Sequence, residues 1–249
     1  MDAPQFGYQS VGFGSFWTER PPVLQGPPAV EQVVDRNFGA WSSPLTGDIT
    51  VGTGSGRALI VSCQVRDDDG SIEVTSCTFT LSGGSAENFT KLVEVGPAAA
   101  TNQLGSDPYH ATSIWGLLNP SSGAGEVRGY MNRTANYSSG MKIIELTGIK
   151  QSGSIATTAS GSASSQTSQS QAIATTAGQI VIDTISLSEI AATNGAVGAS
   201  QTQVGAFTSG GKGGSYETAS GTSTTMSWSW DNSSNVLFAI AAIISDVYS

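Results

Sequence analysis

The 249-residue chain is short of the residues that most catalysis uses: it has one histidine, two cysteines, and ten lysines and arginines together. A Ser/His/Asp triad would depend on His110 alone, and no strained Gly-x-Ser-x-Gly context stands out among the many serines. His110 therefore reads as an ordinary strand residue. Zinc needs three or four Cys, His or carboxylate ligands at suitable spacing, and two cysteines without a Cys-x-x-Cys pair do not provide them. Basic residues form no run, so the electrostatic footprint of nucleic-acid binding is missing. Attachment to an anionic membrane surface lacks support for the same reason. The longest apolar run, Val236–Ile244, is too short to cross a bilayer and reads as a strand buried on both faces. The start of the chain has no basic segment followed by an apolar core, so the expectation is synthesis in a cytoplasm without a standard export signal. Glycine-rich segments lack Gly-Lys-Ser/Thr and precede no helix, which excludes phosphate loops.

What is abundant is glycine (31 residues), with serine, threonine and β-branched residues; only 12% of the chain is charged, and the net charge is −9. Disorder is not the reading, because five Trp, six Tyr and eight Phe are present and many sit in alternating runs. This composition predicts an all-β protein with many turns. The acidity reads as a solubility device.

The run Arg57–Leu81 organises the rest. Leu59, Val61, Cys63 and Val65 alternate with Ile60, Ser62, Gln64 and Arg66, a period of two. After an acidic turn, Asp67-Asp68-Asp69-Gly70, the chain returns with Cys77, Phe79 and Leu81 on one side. The pattern predicts a hairpin, with Cys63 and Cys77 buried as free thiols because a hairpin would place them diagonally, beyond bridging distance. The acidic turn lacks the register of a calcium loop and reads as solvated. Further strands are expected at 48–53, 89–95, 109–118, 126–131, 141–146, 179–187, 202–207, 215–219, 223–231 and 236–245. Val30–Phe38 offers at most one or two helical turns. In 223–231, Met226, Trp228 and Trp230 share a side, either as a core layer or as an exposed aromatic platform for sugar or protein. Ser152–Thr176 is low in complexity and reads as an edge or surface element. Gly195–Gly214 reads as loose, most so at Gly210–Gly214. Four Asn-x-Ser/Thr sequons, at Asn88, Asn132, Asn136 and Asn232, read as chance.

Residues 1–45 hold Phe6, Tyr8, Phe13, Phe16, Trp17, Phe38 and Trp41 among Pro pairs and glycines, without a period. This predicts an extended arm whose aromatics lie on a surface, its own sandwich or a neighbouring subunit. Residues 46–249 are expected to form a jelly-roll-like antiparallel β-sandwich. Glycoside cleavage would need two facing carboxylates, and Glu73, Glu94, Glu126, Glu145, Asp183 and Glu189 are strand-borne or near-strand candidates, with nothing to single out two.

Several pieces in order carry a resemblance: Arg57-Ala-Leu-Ile-Val-Ser-Cys-Gln-Val, Val74-Thr-Ser-Cys-Thr-Phe, Phe89-Thr-Lys-Leu-Val, Ser113-Ile-Trp-Gly-Leu-Leu-Asn-Pro-Ser-Ser-Gly and Gly178-Gln-Ile-Val-Ile-Asp. Together they resemble a jelly-roll-like sandwich module of tailed-phage virion proteins and bacterial surface proteins, over residues 48 to about 246. With the arm and without an export signal, the chain looks most like a phage capsid decoration (cement) protein. The resemblance implies a non-catalytic role on the capsid surface, without cofactor or metal. It implies a homotrimer whose partners are the major capsid protein and sister subunits, held through Phe6, Tyr8, Phe13, Phe16 and Trp17. A glycan-binding tail or adhesin-like module, presenting Trp115, Trp228 or Trp230, is the second reading, and a glycan-cleaving enzyme the third.

Overall fold

A computed structural model describes residues 27–40, 42–67, 70–96, 109–137, 139–188, 194–205, 207 and 211–245. Among these residues there is no helix, and the strands pair antiparallel. The first nine strands are β1 (Ala29–Phe38), β2 (Leu45–Val51), β3 (Ala58–Asp67), β4 (Val74–Leu81), β5 (Ala86–Asn88), β6 (Thr90–Val95), β7 (Tyr109–Leu118), β8 (Gly123–Met131) and β9 (Ser139–Thr147). They form two sheets, ordered β1-β9-β3-β7-β6 and β2-β8-β4-β5. With β5 and β6 taken as one run that leaves the second sheet and joins the edge of the first, the order is that of an eight-stranded jelly roll.

The expected hairpin of β3 and β4 does not form. β3 pairs with β7 and β9, and β4 pairs with β5 and β8 in the opposite sheet. The chain crosses between layers instead of turning back within one. The alternation was right about which side chains face inward, but period two does not say which strand lies alongside. Cys63 and Cys77 are free and buried as expected, for a different reason. They approach from opposite sheets in one core with Leu59, Val61, Phe79, Val127 and Ile143. A Cβ built on Gly129 would lie 3.6 Å from one sulfur and 3.7 Å from the other.

Val30–Phe38 is strand, not helical turn. It is paired with β9 from Ala29↔Thr147 to Phe38↔Ser139, where an open sheet edge outweighs weak local preference. The first sheet therefore draws on residues that the sequence placed in the arm.

The remaining strands are β10 (Ala156–Ala174), β11 (Ile180–Leu187), β12 (Ala196–Val197), β13 (Thr202–Gln203), β14 (Lys212–Thr218) and β15 (Ser223–Ile243). They make a third sheet, β10-β15-β11-β14-β13, with β12 on β15. The single sandwich expected over 46–249 is thus a jelly roll complete by Thr147 and a further layer on its β1-β9-β3-β7-β6 sheet. Gly213 and Gly214, read as part of a loose segment, are buried in β14 opposite Ile185 and Thr184. A Cβ on Gly213 would come within 2.6 Å of the Trp228 ring, so close packing and not looseness explains that glycine.

All ten residues of β3 are buried because its sheet is covered on both faces. Ala58 and Ile60 face the third sheet with Ile144, Leu146, Ile180, Ile182, Ala241 and Ile243. Farther along, that interface is polar. Gln64 donates to the Thr184 hydroxyl, Thr112 Oγ1 lies 3.1 Å from Thr184 Oγ1, and Arg66 donates to the Ser188 carbonyl.

The third sheet folds over on itself. Trp228 and Ile240 are twelve residues apart in β15, about 40 Å in a straight strand. Yet Ile240 pairs with Asp183 and the Trp228 indole donates to the Asp183 carboxylate at 2.9 Å. Register breaks between Ala163 and Ser168 in the partner strand β10, with Ser165 at a φ of 56°, accompany the bend. The fold-over encloses Val181, Ile185, Met226, Trp228, Trp230, Phe238 and Ile240.

Two measurements check this packing. Ellman's reagent should find no reactive thiol in the native protein and two after unfolding in guanidinium, since burial pushes the Cys77 thiol well above its ordinary range. Gly125→Ala should lower stability by about 1–3 kcal/mol in a denaturant titration, because its Cβ would fall 2.5 Å from the Phe79 ring and 2.7 Å from the Thr80 carbonyl oxygen.

Candidate functional site

The arm residues Phe6, Tyr8, Phe13, Phe16 and Trp17 lie outside the described residues, as does Trp41. The tryptophans offered as a platform are core. Trp115, Trp228 and Trp230 are 4%, 2% and 5% exposed. Each indole N–H is used internally, by the Ser113 hydroxyl, the Asp183 carboxylate and the Gln166 carbonyl. Lys91 covers the Trp115 ring, its Nζ 5.0 Å from the centroid. The alternation of Trp228 and Trp230 is a core pattern because the folded-over sheet supplies a second wall that the local sequence does not reveal, while Trp115 packs between the jelly-roll sheets.

The carboxylate candidates separate by environment. Asp183 is fully buried and accepts from the Ser215 N–H (2.8 Å), the Ser215 hydroxyl (2.9 Å), Gln201 Nε2 (3.1 Å) and the Trp228 indole. Desolvation pushes its pKa up to about 7 in spite of these donors. Every lone-pair direction is spoken for, so Asp183 fastens β11, β14 and β15 together and faces no substrate. Glu94 is paired with Lys91 at 2.7 Å. Glu189 lies outside the described residues. In the acidic turn, Asp68 and Asp69 lie outside them too, while Asp67 is buried and ion-paired with Arg133 at 3.1 Å. His110 is buried in β7, with Nδ1 3.2 Å from the Ser186 hydroxyl, and burial and then Arg66 lower its pKa to about 3. Among the described residues no three His, Cys, Asp or Glu side chains gather to hold a metal.

Glu145 and Glu126 reach surface depressions. A cavity of about 480 Å³ lies where β1, the end of β2, the approach to β3 and the end of β9 meet. Glu31, Gln32, Gly52, Arg57, Glu145 and Thr147 line it. Glu145 Oε1 accepts from the Gly52 N–H at 2.9 Å, and Glu31 accepts from the Thr147 hydroxyl at 2.8 Å. Arg57 is only 6% exposed, and its Nη2 donates to the Ser122 hydroxyl at 2.9 Å. Its Nε and Nη1 have no hydrogen-bond partner, and neither has the buried Oε1 of Gln32. A second depression of about 390 Å³ shares Gln32 and Thr50 with the first and adds Asp48 and Glu126, which face each other across β2 and β8. Sequence offered Arg57 only as the start of a strand and Glu145 only as one acid among six. Glu31 and Gln32 carried no signal, since they reach the site through the unexpected β1.

A second candidate surface is an edge. β10 ends the third sheet and pairs with β15 alone among the described strands. Its nineteen residues, ATTASGSASSQTSQSQAIA, include no charge and no proline. The edge or surface reading of this low-complexity stretch agrees with its place in the sheet.

Comparison with known proteins finds no matching family model and no matching curated protein. Among solved structures, the crystal structure of the protein YhaK from Escherichia coli is similar at 9% identity, over 93% of this chain and 92% of that one. The TM-score is 0.34, a likeness too slight to argue from.

The Asp183 environment has a measurable pH signature. Its folded pKa lies above the ordinary carboxylate value, so its contribution to stability is full below about pH 4 and is lost as pH rises through about 7. His110 has the opposite sign: its contribution is full above about 6.5 and is lost as pH falls toward 3. Asp183→Asn should be less stable than wild type by about 1–3 kcal/mol at pH 4, because the amide oxygen accepts at most two of the four donors where the neutral carboxyl group accepts three. Urea titrations at successive pH values should show that gap narrowing from pH 4 to pH 8.

Proposed function

We propose that this protein is a non-catalytic virion component, a phage capsid decoration protein that sits as a homotrimer on the capsid surface after synthesis in the host cytoplasm. The single observation that supports this best is the β10 edge. Sheet edges are normally blunted by charge, proline or brevity, because their unpaired N–H and C=O groups recruit other strands. The nineteen-residue edge has neither charge nor proline, and its bulges at 163–168 divide it into two runs, 156–163 and 168–174, that suit strand-to-strand adhesion. A three-fold ring closes through heterologous contacts, so β10 of one copy meets a different surface on the next.

The aromatic arm supports the same reading. Phe6, Tyr8, Phe13, Phe16 and Trp17 each remove on the order of 150–250 Å² from water when buried, here against sister subunits or the major capsid protein. Many modest contacts on a repeating lattice add up through effective concentration and need no catalytic group. The net charge of −9 keeps free subunits apart until a complementary surface captures them. Neither nucleic acid nor membrane is a partner in this reading.

The test is co-sedimentation with undecorated capsids. Deletion must stop before residue 27, because β1 begins at Ala29 and completes a sheet. The 27–249 chain should keep its melting temperature and lose capsid binding by about tenfold or more; equal decoration by both chains would remove the arm from the account. Light scattering should give a trimer mass for the wild type. A Ser160→Lys, Ser162→Lys, Ser170→Lys variant, charged along the β10 edge, should run as a monomer with unchanged circular dichroism.

A further inference from the structure

We infer that the cavity around Arg57 is a binding site for a neutral polyhydroxylated ligand, one or two units of a saccharide. This goes beyond the capsid reading and stands or falls separately from it. The argument begins with a buried guanidinium. Arg57 is almost wholly out of water, yet Nε and Nη1 have no partner, and both belong to a side chain that lines an open cavity of about 480 Å³. Buried donors are nearly always satisfied, so unsatisfied ones beside a cavity point to something that occupies it. The volume is in the range of small-molecule sites.

The chemistry of the lining selects the class. The lining sets the Arg57 guanidinium and the Gln32 amide, whose unpartnered atoms lie just beneath the cavity wall, beside the Glu31 and Glu145 carboxylates, so donors and acceptors stand next to each other. One cation against two carboxylates leaves the lining net negative, so a phosphate or free carboxylate would meet repulsion. A bare cation would meet Arg57. A hydroxyl donates once and accepts twice, so adjacent hydroxyls on a sugar ring satisfy guanidinium and carboxylate together without adding charge. The neighbouring depression, reached past Gln32 and Thr50, continues the same lining with Asp48 and Glu126 and gives a second unit somewhere to lie. Gly52 forms the lip. A Cβ there would lie 3.5 Å from Glu145 Oε1 and 3.8 Å from Arg57 Nη1, and the backbone is not left-handed, so a larger side chain fits the chain and fills the site.

The test uses the full chain and saturation-transfer NMR with four neutral disaccharides: maltose, cellobiose, lactose and N,N′-diacetylchitobiose. At least one should bind to the wild type. Gly52→Leu, which keeps Arg57 and Glu145 in place, should weaken that binding by about tenfold or more at unchanged melting temperature. Arg57→Gln should weaken it similarly. Ser160→Lys, on the β10 edge, should leave it unaltered. Three results would each overturn the inference: no binding of any of the four, binding that survives Gly52→Leu in a folded protein, or displacement of the bound sugar by sodium phosphate or acetate at matched ionic strength. The last would make this an anion site.

Discussion

Burial of one five-stranded sheet on both faces is the constraint from which the rest follows. Its strands β3, β7 and β9 have almost no exposed positions, so residues of both parities must suit an interior. On one side that interior is continuous hydrocarbon between the jelly-roll sheets. On the other it begins as hydrocarbon and becomes a hydrogen-bonded seam through Gln64, Thr112, Thr184 and Arg66. Gln64, Thr112 and Arg66 each make a hydrogen bond across the layer, to Thr184 or Ser188, which offsets part of the cost of burying them. A seam of that kind is directional: it fixes the register of the third sheet on the second in a way that interchangeable methyl contacts would not.

The third sheet solves a different problem. Strand β10 carries small residues, while its partner β15 carries Met226, Trp228 and Trp230 in one half and Val236, Phe238 and Ile240 in the other, and these need a second wall. Folding β15 back over β11 gives Trp228 and Trp230 an interior, and Asp183 holds the fold-over by accepting from groups on β14 and β15 and from Gln201. The raised pKa of that carboxylate is the electrostatic consequence of burying it. The opposed shift of His110 across the neighbouring layer makes the net pH dependence of stability shallower than either group would give alone.

What remains at the surface is of two kinds. One is backbone: the open β10 edge, without side-chain chemistry and suited to other strands. The other is side-chain chemistry: the Arg57 cavity, suited to a small ligand. The open edge offers backbone groups to another strand and the polar cavity offers side chains to something smaller, and the two lie on different sheets.

Period-two alternation and dense turn residues made the all-β class and most strand positions legible, because they reflect local geometry that every residue reports. The same local signals made Cys63 and Cys77 buried thiols and Ser152–Thr176 an edge. Partners were not legible. β3 and β4 looked like a hairpin and lie in different sheets, Val30–Phe38 looked like a turn or two of helix and is a strand, and Trp228 read as core layer or exposed platform and is core. The Arg57 cavity was hidden for the same reason, since Glu31, Arg57 and Glu145 are far apart in the chain and share no motif. An alternating strand records that it has two faces; only the packed layers decide what each face meets, because pairing and stacking energies are summed over residues distant in sequence.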